Sequence, residues 1–166
     1  MAPTVSAYIG IGSNLGDPRK QVLSAYRELA AIPSCRLVAR SALYASAPMG
    51  PKDQPDYINS AAAIETSLAP GKLLSRLQVI EDRHGRVRGP VRWGPRTLDL
   101  DLLVYGKLEL DTAELTLPHP GLHKRCFVLC PLADLGVDIV VPGLGTVHDL
   151  LGRTDCRGIV RLDEGT

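Results

Sequence analysis

Apolar and polar residues alternate at the start of the chain. Val5, Ala7, Ile9 and Ile11 fall on one side and Ser6, Tyr8, Gly10 and Gly12 on the other, which predicts a strand with one buried face. The strand runs into Gly12-Ser-Asn-Leu-Gly16, a turn, after which Asp17 is placed to cap a helix and Pro18 to occupy its first position. Val22, Leu23, Tyr26, Leu29 and Ala30 keep helical spacing, and the helix is expected to end near Pro33. A second strand is predicted from about Cys35 to Tyr44. The Pro/Gly-rich loop Ala47-Pro-Met-Gly-Pro-Lys-Asp-Gln-Pro55 follows, and then a third strand from about Asp56 to Thr66. Pro70 opens a second helix through Leu73, Leu74, Leu77, Ile80 and Glu81. Alternation returns at Asp99–Tyr105, with Leu98, Leu100, Leu102 and Val104 toward the core. The order β-α-β-β-α-β predicts an α+β protein with a ferredoxin-like core, an antiparallel sheet flanked by helices. A C-terminal helical extension is expected, with one helix from about His123 to Leu135 and a short one after Thr146.

Length and composition narrow this picture. A chain of 166 residues, 45% of them hydrophobic, suits one domain over residues 1–166 with a sizeable core. No apolar run approaches the roughly 20 residues of a membrane span. The opening Met-Ala-Pro-Thr lacks the basic and apolar regions of a signal peptide, so no membrane partner and a cytoplasmic location are expected. Cys35, Cys126, Cys130 and Cys156 contain no Cys-x-x-Cys pair; reduced, mostly buried thiols are expected, not a zinc cage or a redox motif. Aromatic residues make up only 4% of the chain and no extended basic face is apparent, which speaks against nucleic acid as a partner.

Net charge is only +1, but positive charge is concentrated. Arg83, Arg86, Arg88, Arg92 and Arg96 crowd the segment before the last strand, and Gly85, Gly89, Pro90, Gly94 and Pro95 mark it as a loop long enough to serve as a lid. Arg83 is assigned to the preceding helix. The planar fork of arginine suits phosphate oxygens. Beside this loop Asp99 and Asp101 stand two apart on a strand and share a face. Two adjacent carboxylates repel unless protons or cations intervene. Hard oxygen pairs suit Mg²⁺, which completes its shell with waters and phosphate oxygens. A bare Asp-x-Asp would read as a solvated strand face; the arginines turn the expectation toward nucleotide chemistry. Tyr57 and Asn59 also share a face, a ring and an amide suited to stacking on a planar heterocycle and binding its edge, although on an exposed sheet such a pair is ordinary. Gly10-Ile-Gly-Ser-Asn-Leu-Gly16 lacks the Gly-x-Gly-x-x-Gly spacing and no Gly-Lys-Ser/Thr follows, so it is assigned a structural role. Phe127, the only Phe, fits a helix core.

Several segments together are more specific. Gly12-Ser-Asn-Leu-Gly-Asp17, Asp53-Gln-Pro-Asp-Tyr-Ile-Asn59, Gly85-Arg-Val-Arg88, Arg92-Trp-Gly-Pro-Arg-Thr-Leu-Asp-Leu-Asp101, Leu117-Pro-His-Pro120 and Arg125-Cys-Phe-Val-Leu129 resemble the 6-hydroxymethyl-7,8-dihydropterin pyrophosphokinase family of folate biosynthesis, in order and spacing across nearly the whole chain. The resemblance implies transfer of the β,γ-diphosphate of ATP to the hydroxymethyl group of the pterin, with release of AMP. It implies that Asp99 and Asp101 bind two Mg²⁺ ions bridging the ATP phosphates. By the same resemblance Tyr57 and Phe127 would sandwich the pterin and Asn59 would bind its edge, with backbone near Ser46 and Met49 helping. Gln78, Arg88, Trp93, Arg96, His119 and Arg125, with backbone near Leu115 and Thr116, would surround the nucleotide; Trp93 would also border the pterin. Arg86 and Arg92 would belong to a mobile catalytic loop, and Glu81 matches a polar site position without an assigned role. Asp101 and a metal-bound water both stand as candidate bases. Departures at Ala47, Glu114 and Gly121 fall on the periphery and leave the metal ligands, the pterin amide and the arginine loop in place. An active enzyme is therefore expected, a monomer acting on two small molecules.

Two other classes share parts of the pattern. A metal-dependent nucleotidyltransferase also pairs a Gly-Ser turn with Asp-x-Asp, but sets them closer than Ser13 and Asp99 and releases pyrophosphate. A non-catalytic ferredoxin-like module would bind nucleotide through the same basic loop without turnover.

Overall fold

In the computed structural model, which describes residues 3–47, 56–85 and 97–162, the sheet is built around β1 (Val5–Ser13). One side of β1 pairs antiparallel with β4 (Tyr57–Thr66), from Val5 opposite Thr66 to Ser13 opposite Ile58; the other side pairs antiparallel with β5 (Asp99–Tyr105). The far edge of β4 carries two short strands end to end, β2 (Cys35–Arg40) and β3 (Tyr44–Ser46). β10 (Val160–Arg161) then adds to β3.

The single strand expected from Cys35 to Tyr44 is thus two strands. At Ser41 the hydroxyl accepts from Ala61 N at 2.9 Å and donates to Ala42 O at 2.7 Å, so a side chain substitutes for part of the ladder and the strand breaks. The helix expected from His123 to Leu135 is also divided. A 3₁₀ turn covers Leu122–Lys124, Arg125 is extended (φ −121°, ψ 102°), and α3 runs Cys126–Leu135.

α1 (Pro18–Ala30) and α2 (Pro70–Arg83) both open on proline, where the missing amide costs no helical bond. Asp17 Oδ1 accepts from Lys20 N at 3.2 Å, the expected cap. Val22, Tyr26, Leu29, Leu73, Leu77 and Ile80 from these helices pack on Ile9, Ile11, Leu100 and Leu102 of one sheet face. Ala61, Leu103 and Val104 belong to a second core on the other face, with Leu129 and Leu132 of α3 and Leu150 of α4 (Val147–Gly152). Helices therefore cover both faces.

Val104 was expected to face the core with Leu98, Leu100 and Leu102; it is buried, but in the second core on the other face of the sheet. Tyr8 stands opposite Val104 and Ile9 opposite Leu102, so Leu103 is an extra residue, a bulge that turns Leu103 and Val104 to the second core. Asp99 and Asp101 precede the bulge and keep their shared face. Two hairpins, β6 (Leu110–Asp111) with β7 (Thr116–Leu117) and β8 (Val140–Val141) with β9 (Gly145–Thr146), complete the chain.

The expectation of four reduced thiols is corrected. Cys126 is bonded to Cys156, with Cα atoms 5.2 Å apart, while Cys35 and Cys130 are free. The partners lie 30 residues apart in sequence, and only the fold of the segment after α4 brings them together. Among the described residues, no helix is long and apolar enough to cross a membrane.

Candidate active site

Two glycines of β1 leave a strip of bare backbone between strands that carry functional side chains. Gly12 stands opposite Asp99 on β5 and Asn59 on β4; Gly10 stands opposite Asp101 and Ala61. Directly opposed residues of antiparallel strands share a face. The acids therefore line one side of a glycine floor and Asn59 the other. A Cβ on Gly12 would lie 3.4 Å from Asn59 Oδ1 and 3.7 Å from Tyr57 Cδ1, so the floor is open because the side chain is missing. The start of α3 brings Arg125 and Phe127 over this floor, and Ser46 and Ala47 close one end. The resulting cleft is concave and open on one side, with polar groups converging on a partly apolar lining, the form of a small-ligand site.

Its polar groups are held from behind. Asn59, 5% exposed, donates from Nδ2 to Ser46 Oγ at 2.6 Å, which fixes the amide across the floor. Glu81, 4% exposed on α2, accepts from Leu100 N at 2.8 Å, the amide lying between Asp99 and Asp101. Glu81 therefore supports the acidic strand from the opposite face. The bulge also serves the site, because the Leu103 carbonyl accepts from His119 N at 2.9 Å and His119 Nε2 comes to 3.9 Å from Asp101 Oδ1. On the other wall, Asp134 of α3 accepts from Tyr44 Oη at 2.9 Å and from Ala42 N at 3.0 Å. Burial, reinforced by Asp134, pushes the Tyr44 phenol up to about 12. These two bonds clamp α3, and with it Arg125 and Phe127, to β3, which carries Ser46, and to the residue that leads into it. Asp99 and Asp101, facing bare backbone with open space in front, offer hard oxygens and room for hydrated cations and phosphate oxygens, a donor set that fits Mg²⁺.

Residues 8–137 match the family model described as 7,8-dihydro-6-hydroxymethylpterin-pyrophosphokinase. A 2-amino-4-hydroxy-6-hydroxymethyldihydropteridine pyrophosphokinase of Pseudomonas aeruginosa is 48% identical over 155 residues, covering 93% of this chain and 95% of its own. One of Haemophilus influenzae is 43% identical over 159 residues, with 96% and 99% covered. The chain belongs to this pyrophosphokinase family. A crystal structure of Plasmodium falciparum HPPK-DHPS with pteroate is similar in fold, with a TM-score of 0.69 at 12% identity over 92% of this chain. This chain spans only 43% of that longer one.

Of the residues assigned to the pyrophosphokinase site from sequence, Ser46, Tyr57, Asn59, Asp99, Asp101, Arg125 and Phe127 meet at the one cleft. His119 reaches its rim through Asp101. Gln78 is exposed on α2, and Leu115 and Thr116 belong to the β6–β7 hairpin; among the described residues these three form no part of the cleft wall. Met49, Arg86, Arg88, Arg92, Trp93 and Arg96 lie outside the described residues. Sequence reasoning missed Gly10 and Gly12. Their signal is present in Ile9-Gly-Ile-Gly12, two glycines at strand period on the face opposite the buried isoleucines; a Cβ on Gly10 would press on the Leu103 side chain at 3.3 Å, whereas one on Gly12 would enter the cleft beside Asn59 and Tyr57.

Proposed function

We propose that this cleft performs the family reaction with Asp99 and Asp101 holding two Mg²⁺ ions, the pterin between Tyr57 and Phe127 with Asn59 at its edge, and ATP toward Arg125 and His119. The reaction is transfer of diphosphate from ATP to 6-hydroxymethyl-7,8-dihydropterin in folate biosynthesis, and the chain is an ATP-dependent diphosphotransferase. One observation carries the residue assignment: Asp99 and Asn59 stand on either side of the same glycine, Gly12. Two strand spacings, about 10 Å, separate their backbones, a span that a bicyclic ring and its hydroxymethyl arm can bridge. Asn59 would read the ring edge and aim the arm at the acids.

Bound Mg²⁺ would supply charge neutralisation on the transferred phosphates and orientation of the acceptor hydroxyl. The remaining work falls to the chain. Tyr57 and Phe127 exclude water from the ring faces, and Arg125 pairs with phosphate. Arg86 and Arg92 counter the charge that develops as the β-phosphorus passes from the AMP oxygen to the hydroxymethyl oxygen. We further propose that the core is ferredoxin-like, which the order β5-β1-β4-β3, with every neighbouring pair antiparallel, supports. We propose that the chain acts as a single-domain cytoplasmic monomer.

Product analysis tests the reading: ATP and the pterin should give AMP and the pterin diphosphate, whereas a nucleotidyltransferase would release pyrophosphate. Asp99→Asn and Asp101→Asn should each lose most turnover at saturating Mg²⁺ while retaining a cooperative urea transition. Wild-type turnover in either variant would sink the metal assignment.

A further inference from the structure

Three of the four cysteines converge behind the cleft, although nothing in the pyrophosphokinase reaction uses a thiol. Cys126 is the first residue of α3, between Arg125 and Phe127, and is bonded to Cys156. Cys130, one turn along α3, places Sγ 3.1 Å from Cys126 Sγ, and the three sulfurs lie within 4.8 Å of one another. The fourth, Cys35, is occupied elsewhere, with Sγ donating to Thr66 Oγ1 at 3.1 Å.

This packing is tighter than a metal would set. Thiolates around a tetrahedral Zn²⁺ at about 2.3 Å stand roughly 3.8 Å apart, whereas Cys130 is in contact with a sulfur that is already bonded. A free thiol against one end of a disulfide is the arrangement that exchange requires. Disulfides inside cells are commonly transient and redox-sensing, which suits a bond next to ligand-binding residues better than a permanent staple.

We propose that Cys126, Cys130 and Cys156 form a thiol–disulfide exchange site that takes low-molecular-weight disulfides and thiols as its substrates. In the internal step the Cys130 thiolate attacks Cys126 Sγ and a Cys126–Cys130 bond forms. The Cys126–Cys156 bond breaks, and its electron pair leaves on Cys156 Sγ, which takes up a proton. No net oxidation occurs. The first bond is installed by a small disulfide: Cys126 displaces one thiol from it, Cys156 displaces the second from the mixed disulfide, and two small thiols are released for two electrons withdrawn.

The position of the bond has a structural consequence. While Cys156 is attached, the segment leading to β10 is held at the start of α3, and Val160 and Arg161 pair with Ala45 and Tyr44 next to Ser46. Moving the bond to Cys130 removes the covalent tie of that segment to α3 and leaves the start of α3 held on this side by the bonds of Asp134 to Tyr44 and Ala42 and by its core packing. Burial, with Asp134 next, raises the Cys130 thiol; Tyr44 faces the same spot and Arg161 lies near Asp134. The thiolate is therefore scarce at neutral pH, which slows the internal step and makes it faster as pH rises.

The test maps disulfides in the full chain after equilibration with oxidised glutathione, removal of small thiols and maleimide labelling. Wild type should carry label on both Cys130 and Cys156, and the Cys156 share should grow with incubation before labelling. Cys130→Ser, or Cys130→Ala if serine disturbs the packing, should show no label on Cys156. Cys156→Ser should form the Cys126–Cys130 bond by itself. The proposal is overturned if wild type never labels at Cys156, if Cys156→Ser forms no Cys126–Cys130 bond, or if oxidised glutathione yields no bond at Cys126.

Discussion

Replacing Gly12 with alanine should separate stability from function. The backbone at Gly12 is ordinary strand, paired on both sides, and a Cβ there meets Asn59 Oδ1 at 3.4 Å, Tyr57 Cδ1 at 3.7 Å and the Ile58 carbonyl at 4.0 Å, all normal contacts. The folded state accepts the methyl without strain, while the unfolded chain loses freedom, so the change should stabilise by about 0.4–1 kcal/mol. With a urea m-value of about 1.5 kcal/mol/M, the midpoint should rise by about 0.3–0.7 M. Ligand binding should move the other way. A ring held between Tyr57 and Phe127 with its edge toward Gly12 must shift by about 1 Å to clear a methyl, and misplacement of that size can cost about a hundredfold in rate. Calorimetry should therefore show pterin affinity at least tenfold weaker, and single-turnover rates should fall further. Gly71→Ala is the control: a Cβ in α2 meets nothing within 4 Å, so it should raise the midpoint and leave catalysis alone. If Gly12→Ala binds both substrates and turns over as wild type does, the glycine strip is not the floor of the site.

Asn59→Ala should weaken pterin binding roughly tenfold or more, from a contact worth about 1–3 kcal/mol, and leave ATP binding largely unchanged; equal pterin affinity by calorimetry rejects its role. Arg86→Ala and Arg92→Ala should each lower the single-turnover rate at least tenfold with smaller changes in affinity, and amides of residues 85–95 should slow in hydrogen exchange only when Mg²⁺, an ATP analogue and pterin are present together. Protection in the free protein would refute the closing-loop assignment. Tyr44, with its phenol at about 12 when folded against about 10 when unfolded, releases its proton first from the unfolded chain as pH rises. Its contribution is complete below pH 10 and is lost between about 10 and 12. Tyr44→Phe should flatten that part of the stability–pH curve measured in urea, and an unchanged slope refutes it.

The elements were legible where one periodicity ran uninterrupted. Ile9 and Ile11, and Leu73, Leu77 and Ile80, bury as their spacing requires, and Asp17 caps α1 as its position before Pro18 requires. What escaped were interruptions caused by partners distant in sequence. Ser41 breaks its strand through Ala61, twenty residues away. The Leu103 bulge cannot be read from Leu-Leu-Val, because it is defined by which residue of β1 lies opposite. Cys126 and Cys156 belong to this group, since spacing in sequence says nothing of a contact made by a chain reversal after α4.

The site divides along the same line. Its floor and acidic side arise from strand period alone: Gly10 and Gly12, Asp99 and Asp101, and Tyr57 and Asn59 are each two apart, so each pair faces one way by construction. Its roof is a different kind of object. Arg125 and Phe127 are carried over the floor by α3, whose Leu129 and Leu132 pack into the second core, and they are tied further by the bonds of Asp134 to Tyr44 and Ala42 and of Cys126 to Cys156. Backbone pairing on both sides of β1 fixes the floor, so a perturbation there must change the shape of the site, as a methyl at Gly12 does. The roof is the start of a helix that packs on the sheet and is tied to it by a few side-chain bonds, one of them covalent and reversible, so a perturbation of those bonds changes where the roof sits without changing what it is made of. Floor variants should accordingly reshape ligand preference, while roof variants should scale the affinities of pterin and nucleotide together, because Phe127 and Arg125 flank one cysteine and move as one piece.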